Sequence, residues 1–182
     1  LVENGKRDIM NEAFRVLRTN LEFIVNKEQK SRIIILTSFV QGSGKTFLTI
    51  NTAISLAVKG SKVLIIDGDL RRNAISKFIH FHKKGLSDYL AGEFNDIEKL
   101  FISKIELDAD SEYTDENGKR FLSDNLHVLP VGTIPPNPTE LLLNARFGQL
   151  LAEVRTRYDY IFIDCLPVND MADSQISGQY AD

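Results

Sequence analysis

Residues 33–46 read Ile-Ile-Ile-Leu-Thr-Ser-Phe-Val-Gln-Gly-Ser-Gly-Lys-Thr, an apolar run feeding straight into a glycine-flanked Lys-Thr pair. This is the build of a phosphate-binding loop. A buried strand delivers the chain to a tight turn, where Gly42 and Gly44 let backbone N–H groups approach phosphate oxygens with no Cβ in the way. Lys45 reaches the β- and γ-phosphates, and the Thr46 hydroxyl is placed for Mg²⁺. Phe47 to Lys59 has helical spacing, so the positive end of a helix dipole faces the same anion. The expected nucleotide-binding residues are Gln41, Gly42, Ser43, Gly44, Lys45, Thr46 and Phe47. One departure stands out: the general pattern wants Gly at position 39, and this chain has Phe39.

Two more apolar runs end in carboxylates. Val63-Leu64-Ile65-Ile66 leads to Asp67-Gly68-Asp69-Leu70-Arg71-Arg72, and Tyr160-Ile161-Phe162-Ile163 leads to Asp164. Ligands of open α/β sheets bind outside the carboxyl ends of the strands. Three carboxylates there, beside a phosphate loop, suit a Mg-nucleotide site: some hold the metal and one accepts a proton from an attacking hydroxyl. A single aspartate at a strand end is often only a helix cap. That explanation suits one member of the set better than all three.

Composition narrows the class. A chain of 182 residues with 43% hydrophobic content supports one domain with a substantial core. The net charge of −3 offers no bulk electrostatic case for nucleic acid. The single cysteine, Cys165, excludes an internal disulfide and reads as a small buried residue suited to a reducing cytoplasm. No stretch approaches the length of a transmembrane helix, and no signal peptide is visible. The chain starts at Leu1 rather than Met, as a segment of a longer protein would.

Along the chain, Ile9, Ala13, Val16, Leu17, Leu21 and Ile24 predict a helix over about 8–25. Strands are expected at about 33–38, 62–67, 126–131 and 159–164. Helices are expected at about 45–58, 74–80, 86–91, 95–102, 139–143 (capped by Thr139) and 146–157. Strands alternating with helices indicate a mainly parallel sheet flanked by helices. Residues 71–84 carry Arg71, Arg72, Lys77, Lys83 and Lys84 with no acid. The lysines read as a solvated face, while the two arginines stand near the second carboxylate strand. His80 and His82 are too few ligands for a metal site. The acidic stretch around Asn117-Gly118 predicts an exposed hairpin insertion at about 104–121; Tyr113 stands where a calcium loop needs Gly.

Taken together, these residues resemble the cytoplasmic domain of bacterial tyrosine kinases of the capsular and exopolysaccharide family. Glu12-Ala-Phe-Arg15-Val-Leu-Arg18 is similar to that family's Glu-x-x-Arg-x-x-Arg assembly helix. Gln41 to Thr46 resembles its Walker A loop, with Gln41 in place of the usual Pro. Asp67 to Arg72 resembles Walker A′. Ile161 to Asp164 resembles Walker B, followed by Cys165-Leu166-Pro167 in place of Thr-Pro-Pro. Gly85 to Gly92 and Pro135 to Leu142 resemble two further family stretches. The resemblance covers nearly the whole chain except the hairpin insertion.

The resemblance implies a P-loop NTPase fold with Walker A, A′ and B motifs, ATP and Mg²⁺ as cofactors, and phosphorylation of protein tyrosines between neighbouring subunits. Lys45, Asp67 and Asp69 are then the catalytic candidates. Thr46, Asp69 and Asp164 are the metal candidates, with Asp67 and Asp69 dividing metal binding and tyrosine activation between them. Glu12, Arg15 and Arg18 would close a homo-oligomeric ring. It further implies a membrane-bound activating segment or partner, a place at the bacterial inner membrane, and a chain that continues past Asp182 with another strand beside the first. Tyr158 and Tyr160 read as packing residues. Two rivals remain: a partitioning or septum-positioning ATPase, and an ATP-binding assembly scaffold without transfer activity. The first expects a second lysine where this chain has Val40.

Overall fold

Four apolar runs pair as one sheet in a computed structural model that describes residues 1–2, 8–24, 30–79, 84–103, 123–166 and 178–182. β1 (Arg32–Leu36), β2 (Val63–Asp67), β3 (Leu126–Leu129) and β4 (Tyr160–Asp164) stand in the order β1-β4-β2-β3, and each pairing is parallel. β2 and β4 are buried at every position, as central parallel strands covered on both faces must be. All four lie within two residues of their expected bounds. The expected hairpin at 104–121 and the His80/His82 pair lie outside the described residues.

Side chains alternate across a strand, so each strand feeds two cores. Ile33, Leu64, Ile66, Ile161 and Ile163 point to one face. There they meet α4 (Leu86–Leu90), α5 (Pro138–Leu143) and α6 (Ala145–Val154) through Leu90, Leu142, Phe147 and Leu150. Val63, Ile65, Tyr160 and Phe162 point to the other. There they meet α2 (Lys45–Val58) and α3 (Ala74–Phe78) through Ile54, Ala57 and Ile75. A short 3₁₀ turn (Ile97–Leu100) completes the first core. Handedness explains why α2 lies opposite α5 and α6. The β1-to-β2 crossover and the β3-to-β4 return run in opposite directions across the sheet, and right-handed crossovers then place their helices on opposite faces.

α1 (Ile9–Ile24) lies outside α2 and runs parallel to it. Arg18 reaches Ser55 and Glu22 reaches Lys59, with the same sequence offset of 37 in both pairs. Phe14 is the apolar anchor of this contact, edge-on to Phe47 with ring centroids 5.9 Å apart. The periodic residues that predicted the helix mostly face away: Ile9 is 92% exposed and Ile24 83%.

Two local expectations need correction. The helix expected to start at a Thr139 cap starts at Pro138 with Asn137 as its cap. Proline is pre-shaped for the first helical turn and loses no needed hydrogen bond there. α6 ends at Val154, and Arg155 to Arg157 form a turn. β1 stands at the sheet edge, since β4 is its only partner among the described strands. Its outer edge is met at Ile33, whose N–H donates to Asp182 Oδ2 (2.7 Å) and whose carbonyl accepts from the Asp182 N–H (3.1 Å).

Candidate functional site

Strand register builds the site. Leu36, Asp164 and Asp67 are lateral neighbours at the carboxyl ends of β1, β4 and β2. By alternation both aspartates share the sheet face of Val63, Ile65, Tyr160 and Phe162, the face covered by α2. The first turn of α2 therefore descends onto them. Thr46 Oγ1 donates to Asp164 Oδ2 at 2.6 Å. Gly44 enters the helix with φ 88°, a left-handed conformation that a side chain would strain. Gly68 is required for another reason: a Cβ there would sit 2.9 Å from Ile163 Cγ2 and 3.1 Å from the Asp164 carbonyl oxygen.

A cleft of about 330 Å³ opens beside these groups, walled by Gln41 to Phe47 on one side and by Asp69, Arg72, Asp164 and Cys165 on the other. All seven expected nucleotide-binding residues lie on its wall. Lys45 Nζ donates to Ser38 Oγ at 3.1 Å, and Ser38 Oγ donates to the Val40 carbonyl at 2.7 Å. Phe39 is 78% exposed and is not among the positive-φ residues, so this loop does not use the conformation for which Gly would be needed there.

The three carboxylates occupy different surroundings. Asp164 is buried, and desolvation pushes its carboxyl up to about 6 against the Thr46 hydrogen bond and the nearby Lys45 charge. Asp67 is fully buried, and desolvation lifts it to about 7 although Ser76 donates to its Oδ2 through the backbone N–H (2.8 Å) and the hydroxyl (2.7 Å). Asp69 is also raised by burial, opposed by the Arg72 and Arg71 N–H groups that donate to its Oδ1 at 2.9 and 3.2 Å. Part of the Asp69 carboxylate therefore serves its own turn, as a capping aspartate would. Asp69 and Asp164 line the cleft, whereas Asp67 sits behind the wall.

A divalent cation fits this arrangement. Asp67 Oδ1 and Asp164 Oδ1 are buried and have no hydrogen-bond partner among the described residues. Leaving such oxygens unpaired is costly, and a cation or its water shell would satisfy them. No group of three His, Cys, Asp or Glu side chains forms a metal cage among the described residues. Mg²⁺ keeps waters and takes phosphate oxygens alongside one or two carboxylates. Thr46, Asp69 and Asp164 are the groups placed to contribute.

Other expected residues are distributed more widely. Arg72 joins the cleft wall, while Arg71 turns to α5 and donates to Thr139 Oγ1 at 3.0 Å. Cys165, Tyr158 and Tyr160 are buried, and Tyr158 hydroxyl meets His127 Nδ1 at 3.1 Å. Of the assembly triad, Glu12 and Arg15 pair on the surface at 3.5 Å. Arg18 instead turns inward and donates to the Ser55 carbonyl (2.9 Å) and hydroxyl (3.3 Å). Ser76 and Ser38 were not anticipated. Neither belongs to a motif, and no local pattern marks a serine nine residues past Asp67 as its partner.

The model of the AAA domain family matches residues 31–176. The putative tyrosine-protein kinase CapB of Staphylococcus aureus is 33% identical over 176 residues, covering 96% of this chain and 69% of that protein. The tyrosine-protein kinase wzc of Salmonella typhimurium (strain LT2) is 34% identical over 182 residues, which is 100% of this chain and 23% of the relative. Among solved structures, the kinase domain of the Escherichia coli tyrosine kinase ETK superposes with a TM-score of 0.76 at 32% identity, covering 93% of this chain and 60% of that one. The septum site-determining protein MinD of Pyrococcus horikoshii OT3 shares the fold at 24% identity and a TM-score of 0.61, over 83% of this chain and 55% of that one.

Proposed function

The chain belongs to the bacterial tyrosine-protein kinase family of capsule and exopolysaccharide systems, and from that premise we propose that it transfers the γ-phosphoryl group of ATP to protein tyrosine hydroxyls. The reading rests on one observation above all: the cleft sets the whole phosphate loop opposite buried carboxylates, two of whose oxygens lack partners among the described residues.

In this reading the backbone N–H groups of Gly42 to Thr46 hold the phosphate oxygens. Lys45 leaves Ser38 to meet the charge that develops on the transferred group. Thr46, Asp164 and Asp69 would hold a Mg²⁺ ion, whose charge would offset that of the phosphates. A tyrosine hydroxyl titrates near 10 and is barely ionised at neutral pH, so its proton needs an acceptor as transfer proceeds. Asp67, whose Oδ1 lacks a partner among the described residues, is our candidate for that acceptor, reached through a water from its place behind the cleft wall. Asp69 is then left to the metal and to its own turn.

Assembly would use Glu12 and Arg15 together with the outward apolar face of α1, and Arg18 would hold that helix on α2. A ring of this kind presents tyrosines of one subunit to the cleft of the next. Among the described residues no helix is long and apolar enough to cross a membrane. Attachment to the inner membrane would therefore come from a fused segment or a separate activating partner on the cytoplasmic face. A partitioning-type ATPase is disfavoured by Val40, where that class carries its second lysine.

Incubating the protein that carries this chain with ATP and Mg²⁺, followed by a phosphotyrosine immunoblot, tests the activity. The expected result is phosphotyrosine in the wild type and none with Lys45→Met. Nucleotide binding without any phosphotyrosine would instead identify a scaffold.

A further inference from the structure

The carboxylate of Asp67 is held almost entirely by one residue outside every recognised motif. Ser76, in α3, is 1% exposed and donates twice to Asp67 Oδ2, from its N–H at 2.8 Å and from its hydroxyl at 2.7 Å. The direction of the hydroxyl bond follows from a third contact. The Val131 N–H donates to Ser76 Oγ at 2.9 Å. A backbone N–H can only donate, so Oγ must accept there, and its single proton is committed to Asp67. Val131 is itself held, because its carbonyl accepts from the Ser87 N–H (2.9 Å), while the one Ser87 hydroxyl proton is shared between the Val131 and Thr133 carbonyls. The chain Ser87–Val131–Ser76–Asp67 therefore ties the carboxylate to the segment after β3. It occupies Oδ2 with two donors and leaves Oδ1 without a partner among the described residues.

We propose that Ser76 is a positioning residue for phosphoryl transfer: it pins one oxygen of Asp67 so that the other, Oδ1, is presented to the carboxylate cluster behind the cleft. This rests on the reading of Asp67 as the acceptor of the tyrosine proton. Two donors converge on Oδ2 and hold the carboxylate more firmly than the Ser76 N–H would alone. A hydrogen-bond acceptor that must meet a moving proton loses rate quickly when its orientation is lost. Ser76 does not itself line the cleft, so removing its hydroxyl deletes no group from the cleft wall.

The test compares wild type, Ser76→Ala, Asp67→Asn and the double variant in the protein that carries this chain. Phosphorylation of a synthetic Glu-Tyr copolymer supplies kcat and KM, and a fluorescent ADP analogue reports nucleotide affinity. Ser76→Ala is expected to lower kcat by about tenfold to a hundredfold, within the range of a misplaced proton acceptor, while the ADP-analogue Kd stays within about twofold. Adding Ser76→Ala to Asp67→Asn is expected to cost nothing further, because both changes disable one unit. A wild-type kcat in Ser76→Ala overturns the proposal, and so does a kcat that falls only in step with nucleotide affinity. Independent, multiplying losses in the double variant overturn it as well. A wild-type rate in Asp67→Asn overturns the assignment of Asp67 itself, whereas an inactive Asp67→Asn beside an active Ser76→Ala removes only the positioning role. If Ser76→Ala does not fold, Ser76→Cys keeps the volume, replaces a strong donor with a weak one, and is read by the same criteria.

Discussion

α1 and α2 lie side by side and run the same way, yet they use their apolar residues in opposite manners. In α2 every residue from Thr49 to Ala57 is buried between the sheet and α1. In α1 only Asn11 and Phe14 are buried, while Ile9, Val16, Leu17, Phe23 and Ile24 face outward. α2 spends its side chains on the core and its first turn on the phosphate loop. α1 is held on by Phe14 on Phe47, Arg18 on Ser55 and Glu22 on Lys59, with Met10 and Leu21 packed partly against the same core. The difference teaches that core burial and the cleft wall are combined in one helix, while the other keeps an exposed apolar face.

The sharpest way to break this division is at the start of α2. Lys45→Met should reduce tyrosine phosphorylation by at least about a thousandfold, in line with removal of a charge-stabilising donor. The melting temperature and the molar mass in solution should stay unchanged. A measured rate within a few-fold of wild type would contradict the placement of chemistry in that turn.

Next in size is a core truncation on each helix. Leu56, fully buried on α2, should cost about 2–5 kcal/mol when changed to Ala. Leu17→Ala on α1, 41% exposed, should stay within about 0.5 kcal/mol. Urea denaturation of both variants measures this directly, and equal losses would erase the distinction.

A pH series sharpens the comparison at the floor of the site. Burial raises Asp67 to about 7 and Asp164 to about 6, both above the ordinary 3.8. A carboxyl raised by folding contributes stability that is fully present below its unfolded value and is lost as pH climbs through the folded one. The unliganded protein should therefore lose stability between about pH 4 and 7 from these two groups. A Mg-nucleotide needs them ionised, so its affinity should rise over about pH 5.5–7.5, by up to about tenfold per pH unit for each proton released. Titration calorimetry in buffers of different ionisation enthalpy counts those protons, and an affinity flat with pH would separate the carboxylates from the nucleotide.

The smallest effect should come from α1. Arg18→Ala removes two part-buried hydrogen bonds to α2 and should cost about 1 kcal/mol. Glu12→Ala with Arg15→Ala removes only an exposed pair and should leave stability within about 0.5 kcal/mol. Light scattering should nevertheless report a lower mass for that double variant than for Arg18→Ala. The reverse order would place the assembly contact on the inner face of α1.

Much was legible from residue order alone. The phosphate loop, the helix it opens and the strands before each aspartate rest on local chemistry: glycines where a turn needs them, and apolar runs of strand length. Even the missed start of α5 was local in kind, because Pro138 is a better first helical residue than Thr139 is a cap. Strand adjacency was not local. β4 lies between β1 and β2, and only that insertion makes Asp164 and Asp67 lateral neighbours. Ser76 became the partner of Asp67 because α3 folds back over the end of β2, a contact that periodicity does not encode. The spacing of Arg15 and Arg18 marked one helix face, but packing against α2 turned Arg18 inward and left Arg15 outside. The sequence by itself determined the phosphate-loop pattern and the strands that end in aspartates, since those depend on residue type at close spacing. Only the tertiary structure decided which carboxylate is deepest and which serine holds it, because desolvation and hydrogen-bond geometry arise from segments brought together across the chain.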